Sequence, residues 1–297
     1  MSRLHLYVVF TACLFASSAL AAIADILVQP ASVVQAGLGG VGVLGSDPLA
    51  ASVHPSVMPD GRAPAEVEIA GMAGADGQLV GSALGACAAV LPEVAVRILA
   101  IGYRVAFDEI DANRDQTGRT LTAQSFSFGV GVSAERGSYA AGMNVRCVED
   151  SVEGAGVTVP ALDIGVSADW GQVGAAISIQ GLNDGSLGVH REERVLGMVR
   201  AGMAAYVAED RLRLGLELGW PTAGLARGTW GAEWQPMRGL ALRAGMGDIV
   251  SPLTRPTFGL GVVRGRYAVD FSVSGNAIGP QVLAGFRLAL GRMREPG

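Results

Sequence analysis

The chain has 297 residues, 50% hydrophobic and 16% charged, with a formal net charge of −5 and arginine as its sole basic residue type apart from three histidines. That balance does not suggest nucleic acid, so no nucleic-acid partner is expected. Forty-three glycines without a collagen-like period point to many turns or to close strand packing.

Residues 1–24 read as a secretory signal. Arg3 supplies the positive start, an apolar run follows, and Ala19-Leu20-Ala21 or Ala22-Ile23-Ala24 offers the small residues of a cleavage site. Cys13 lies inside that run, which continues past it. No later stretch reaches the ~18 apolar residues of a spanning helix, so the exported chain is expected to be soluble or inserted as strands. Residues 25–64 are rich in Gly, Pro, Ala and Ser. Gly37-Leu38-Gly39-Gly40-Val41-Gly42 matches G-x-G-x-x-G, but Pro30 precedes it and Ser46-Asp47-Pro48 follows. A dinucleotide site needs a buried strand before that loop and a helix after it. No cofactor is expected.

From residue 65 a period of two recurs to residue 291. It is clearest in Leu212, Leu214, Leu216, Leu218 and Trp220, which alternate with Arg211, Arg213, Gly215, Glu217 and Gly219. Side chains on a strand alternate between faces, so one face is apolar and the other charged or tiny. The same pattern sets Val67 and Ile69 against Glu66 and Glu68, and Phe126, Phe128, Val130 and Val132 against Ser125, Ser127, Gly129 and Gly131. It also sets Phe258, Leu260 and Val262 against Gly259 and Gly261. Roughly fourteen such strands follow, each about ten residues, which is the length a tilted strand needs to cross a bilayer. Connections alternate between tight (91–93, 135–137, 264–265) and longer, more polar (108–119, 149–156, 181–194). Transmembrane barrels carry short turns at one end and long loops at the other.

A soluble two-sheet sandwich also alternates. The strand count, the loop parity and aromatics near strand ends (Tyr103, Tyr139, Trp170, Tyr206, Trp220, Trp234, Tyr267) favour an all-β transmembrane antiparallel barrel. Its apolar face would meet outer-membrane lipid. Its lumen would hold Arg97, Arg104, Arg146, Asp163, Arg213, Glu217, Glu233, Arg243, Asp270 and Arg287, signs nearly balanced, as a paired network. The third strand changes phase. Val94, Val96 and Ile98 place even positions outward, whereas Ile101, Tyr103 and Val105 place odd ones there. One extra residue among Ile98, Leu99, Ala100 and Ile101 would reconcile the halves as a β-bulge. His54 and His190 neighbour no nucleophile motif and show no metal spacing, so neither an enzyme nor a metal site is expected. Cys87 and Cys147 could pair as a disulfide in an oxidising compartment, with two buried free thiols at least as well supported.

The run from Gln35 through Gly37-Leu38-Gly39-Gly40, Ser46-Asp47-Pro48 and Val53-His54-Pro55-Ser56 resembles the N-terminal signature of the PorV/PorQ family. Its usual form is a Gly-rich run, Asp-Asp-Pro, then Trp-Asn-Pro-Ala-Gly; here Trp, Asn and Ala are missing. Residues 107–120, 125–147 and 267–290 extend the likeness. That family is itself similar to the FadL fatty-acid channel. The resemblance implies a fourteen-stranded barrel of residues 65–291, a C-terminal tail of 292–297, and residues 25–64 folded inward as a small plug. Gly37, Gly39, Gly40, Asp47, Pro48, His54 and Pro55 are then plug candidates, and Ile98, Leu99, Ala100 and Ile101 candidates for a lateral opening. The implied function is diffusion of small hydrophobic molecules such as long-chain fatty acids through the outer membrane of a diderm bacterium, after insertion by the barrel-assembly machinery. The alternatives are a secretion shuttle that binds secreted cargo proteins and a structural or adhesive barrel.

Overall fold

The computed structural model describes residues 31–58, 63–74, 79–91, 93–108, 120–152, 155–182, 197–209, 211–221, 226–247, 255–275 and 280–291. Residues 1–30, and with them the signal sequence, lie outside this set, as do His190 and residues 292–297.

Among the described residues, fourteen strands follow two short helical turns. The first turn is α1 (Val33–Gly37); the second is the 3-10 helix Pro48–Ser52. The strands are β1 (Ala65–Ala73), β2 (Leu79–Leu91), β3 (Val94–Asp108), β4 (Thr120–Arg136), β5 (Tyr139–Val152), β6 (Ala155–Asp169) and β7 (Val173–Leu182). They continue as β8 (Met198–Val207), β9 (Leu212–Pro221), β10 (Arg227–Met237), β11 (Leu240–Gly247), β12 (Arg255–Arg264), β13 (Tyr267–Ser274) and β14 (Gln281–Leu290). Each strand pairs antiparallel with its sequence neighbours, and β1 pairs with β14 from Ala65↔Leu290 to Ala73↔Val282, so the sheet closes. Closure leaves no unpaired strand edge, the condition a strand structure must meet inside lipid.

The two faces separate as alternation requires. On β9, Leu214, Leu216, Leu218 and Trp220 point outward and are exposed, whereas Gly215, Glu217 and Gly219 point inward and are buried. Phe126, Phe128, Val130 and Val132 form the matching outer row of β4. Gln124 and Arg136 bound that row, twelve positions apart on the same face. At about 3.3 Å per residue and a tilt near 40°, the interval projects to roughly 30 Å, the thickness of a hydrocarbon core.

β3 corrects one expectation. It pairs with β4 in unbroken register from Val94↔Ala134 to Asp108↔Thr120, so Ile98, Leu99, Ala100 and Ile101 contain no bulge. Its register with β2 shifts only between Ala89 and Leu91, beside the turn. Leu99, Ile101 and Tyr103 therefore point into the lumen. Arg104 points outward and is exposed, and so leaves the lumen set. The phase change in sequence comes from apolar residues on the inner face, not from an inserted residue. Tyr206 also points inward, beneath Arg213, whose guanidinium carbon lies 5.9 Å from the ring centroid, so neither Tyr103 nor Tyr206 belongs to an outer girdle. Cys87 faces in and Cys147 faces out; both are free thiols.

Candidate functional site

Residues 31–58 occupy the lumen. Ser32 caps α1 by accepting from the Gln35 amide at 3.3 Å, and its hydroxyl donates to Asp47 Oδ2 at 2.9 Å. Asp47 Oδ1 accepts from the Ala50 amide at 2.9 Å and so caps the 3-10 helix, with Pro48 at its first position. One carboxylate thus ties both turns together, capping the 3-10 helix and holding the hydroxyl that caps α1. Gly39 and Gly40 carry the chain out of α1 with φ of 73° and 93°, a region a side chain disfavours.

This segment lies directly on the wall because the wall beneath it lacks side chains. A Cβ on Gly215 would come within 2.6 Å of Leu44, one on Gly245 within 2.5 Å of the Gly39 amide, and one on Gly285 within 2.8 Å of Val33. Across the lumen, Gly85 faces Leu49, and Gly142 and Gly165 face Pro55. The sequence shows this signal as glycine on the inner face of strand after strand. Gly231 lies against both Leu38 Cβ and the Leu38 carbonyl. Gly231→Ala is therefore expected to cost about 1–3 kcal/mol by overpacking. A lowered denaturant midpoint together with faster proteolysis of residues 31–58 would be the measured result.

Polar wall residues hold the same segment by its backbone. Asn144 Nδ2 donates to the Ala51 carbonyl at 2.8 Å, Ser178 to Val53 at 2.9 Å, Gln180 to Ser52 at 2.6 Å and Thr257 to Gly37 at 3.0 Å. The Leu49 amide donates to Glu68 Oε2 at 3.2 Å.

Glu217 is the hub of this seat. Its Oε2 accepts from the Gly42 amide at 2.8 Å, the Val43 amide at 3.2 Å and His54 Nε2 at 3.2 Å. Its Oε1 accepts from Arg200 Nη1 at 2.9 Å, and Arg200 Nε donates onward to Gln180 at 2.9 Å. A buried carboxylate with this many donors satisfies its lone pairs, which is the condition for keeping a charge out of water.

The remaining lumen candidates divide into groups. Arg243 donates at 2.7 Å to both Glu233 and Asp270. Arg146 and Asp163 pair at 2.7 Å, and Asp163 also accepts from the Gly181 amide. Arg213 reaches Glu233 only at 3.7 Å, and Arg287 stands across from Glu68 in the β1–β14 ladder. Arg97 is the exception. It is 1% exposed, and none of its three guanidinium nitrogens has a hydrogen-bond partner among the described residues. Exchanging an uncompensated buried charge for an apolar residue of similar length removes a desolvation cost. Arg97→Met is expected to stabilise the barrel by about 1–4 kcal/mol, read as a raised unfolding midpoint, the opposite sign to any truncation of Arg243.

Above the plug, toward the long loops, the inner wall turns apolar. Leu99 and Ile101 of β3, Met72 of β1, Val148 of β5, Val159 and Ala161 of β6 and Leu283 of β14 form one buried cluster with Val33, Leu49 and Ala51. Tyr103 packs at its margin. A small recess of about 30 Å³ between Ala31, Met72, Gly81, Ile101 and Gly102 leads from this cluster into the β1–β3 wall. The wall is thin there, with Gly71, Ser82 and Gly102 on its outer face, and the β1–β2 register shifts between Met72 and Ala73. Sequence reasoning placed the wall's irregularity on β3 and missed this one; the paired small residues Gly81-Ser82 and Gly71 were its available signal.

No family model matches the chain, and no curated protein is similar to it in sequence. Solved structures are similar in fold. The Ralstonia pickettii toluene transporter TbuX superposes with a TM-score of 0.65 at 10% identity, over 88% of this chain and 98% of that one. The Pseudomonas putida toluene transporter TodX gives 0.64 at 12%, over 90% and 99%. A Pseudomonas aeruginosa FadL homologue gives 0.60 at 10%, over 88% and 96%. The chain therefore has the closed fourteen-strand architecture of FadL-like outer-membrane barrels.

Proposed function

We propose that this protein is an outer-membrane channel through which small hydrophobic molecules diffuse. The observation that carries the reading is the apolar cluster on the inner wall. A lumen made for ions or sugars gains nothing from Leu99, Ile101, Val148, Val159 and Leu283, whereas an apolar passenger gains roughly 25 cal/mol per Å² of surface it buries there. The similar barrels TbuX and TodX are toluene transporters, which supports the same class of passenger here. Capture occurs at the long-loop end. The plug seated on Glu217 bars the straight route, and the passenger leaves sideways through the thin wall at Gly71, Ser82 and Gly102. The signal-like residues 1–24 and the barrel-assembly machinery bring the chain to the outer membrane. Insertion as strands with lipid against the outer rows needs no cofactor and no catalysis.

Vesicles carrying the purified barrel should take up labelled toluene and labelled long-chain fatty acid faster than empty vesicles, and the ratio of the two rates names the preferred passenger. Entry no faster than into empty vesicles would remove the channel reading. Recovery of exported proteins bound to the barrel would support a PorV-like shuttle in its place.

A further inference from the structure

At the short-turn end, on the far side of the plug from the apolar cluster, lies a cavity of about 340 Å³. That is at the lower bound of the ~300–1,000 Å³ typical of small-ligand sites. Its floor is apolar, made by Val34 and Leu44 of the plug with Leu240, Ala241 and Val263 of the wall. Its rim is cationic: five arginines line it against three carboxylates, those of Asp47, Glu66 and Glu233.

Two of those carboxylates are already engaged. Asp47 accepts from Ser32 and Ala50, and Glu233 from Arg243 and Gln235. The guanidinium groups are less fully used. Arg238 and Arg266 stand on the exposed tight turns after β10 and β12 and make no ion pair among the described residues. Arg213 holds Glu233 only loosely at 3.7 Å, and its Nε has no hydrogen-bond partner among the described residues. Three cationic forks therefore converge on one concave, partly apolar space. A guanidinium binds a carboxylate through two parallel hydrogen bonds, and such bonds strengthen when an apolar floor excludes water.

We propose that this cavity is a binding site for a small organic carboxylate with an apolar body, entered from the short-turn side and independent of what passes through the barrel. The ligand's carboxylate sits between Arg213, Arg238 and Arg266, and its apolar part lies on Leu44, Leu240 and Val263.

The probe is benzoate, with benzyl alcohol as its uncharged counterpart, titrated calorimetrically against the full-length barrel in detergent. Benzoate should bind saturably and weaken as salt rises. Arg238→Ala/Arg266→Ala should weaken it at least tenfold, since both residues are on turns and the barrel still folds, as its unheated gel migration will report. Arg213→Ala should weaken it as well. Three results would each overturn the proposal: no saturable benzoate binding, binding by the double variant equal to the parent's, or benzyl alcohol binding as tightly as benzoate.

Discussion

Replacing Glu217 with alanine is expected to unseat the plug. The parent carboxylate accepts from two plug amides, from His54 and from Arg200, all within 3.2 Å. Truncation leaves the Gly42 and Val43 amides unpaired and strips a carboxylate from the buried Arg200 guanidinium. Removing one partner of a buried ion pair costs about 3–5 kcal/mol. Of the lost contacts, those to Gly42, Val43 and His54 join residues 163 to 175 positions apart and so loosen the seat between plug and wall, whereas the Arg200 pair joins the neighbouring strands β8 and β9. Hydrogen exchange at Gly42 and Val43 should accelerate by two or more orders of magnitude, and single-channel conductance in planar bilayers should rise from a closed baseline. Glu217→Gln keeps the shape and one acceptor oxygen, so it should cost less, about 1–3 kcal/mol. If both amides stay protected in Glu217→Ala, the seat is held elsewhere.

The adjacent residue gives the complementary result. Leu216 points outward, is 50% exposed and lies beside Met203 and Trp230 of the neighbouring strands. Leu216→Arg sets a guanidinium against hydrocarbon near mid-strand and should cost about 2–4 kcal/mol. The measured quantity is the denaturant midpoint for folding into lipid vesicles, with the yield of membrane-assembled protein beside it. Unchanged assembly would mean that the outer row of β9 does not meet lipid. Position 217, one residue away, gives a plug phenotype and position 216 a membrane phenotype, because a strand turns successive side chains to opposite faces.

Much of the barrel was legible in β9 alone, where five large apolar residues alternate with charged or small ones. Alternation reports that two environments differ, and β3 shows where that report becomes ambiguous. Ile101 and Tyr103 are apolar and point inward, so hydropathy alone suggested a bulge that the unbroken register excludes. A lumen lined with Leu99, Val148 and Val159 is as apolar as lipid to a side chain, and a pattern rule cannot tell the two apart. Arg104 was misplaced for the same reason: it lies on the outer face above the Phe126 row, toward the long-loop end.

The lumen network was half legible. Glu217, Glu233, Arg243, Asp270, Arg146 and Asp163 were expected inside and are inside. Their partners were not readable, because pairing follows ring order and strand stagger. Arg243 reaches Asp270 across β12, with Gly259 and Gly261 leaving room between them. Arg97, expected to be paired, has no hydrogen-bond partner among the described residues.

The sequence by itself determined strand identity, the two faces and the parity of the turns, since each depends on residues within a few positions of one another. Only the tertiary structure decided which inner glycines the plug rests on, that Glu217 holds it, and that the upper lumen is apolar. Those facts depend on closing β1 onto β14, which brings distant residues to a common centre that no local period encodes.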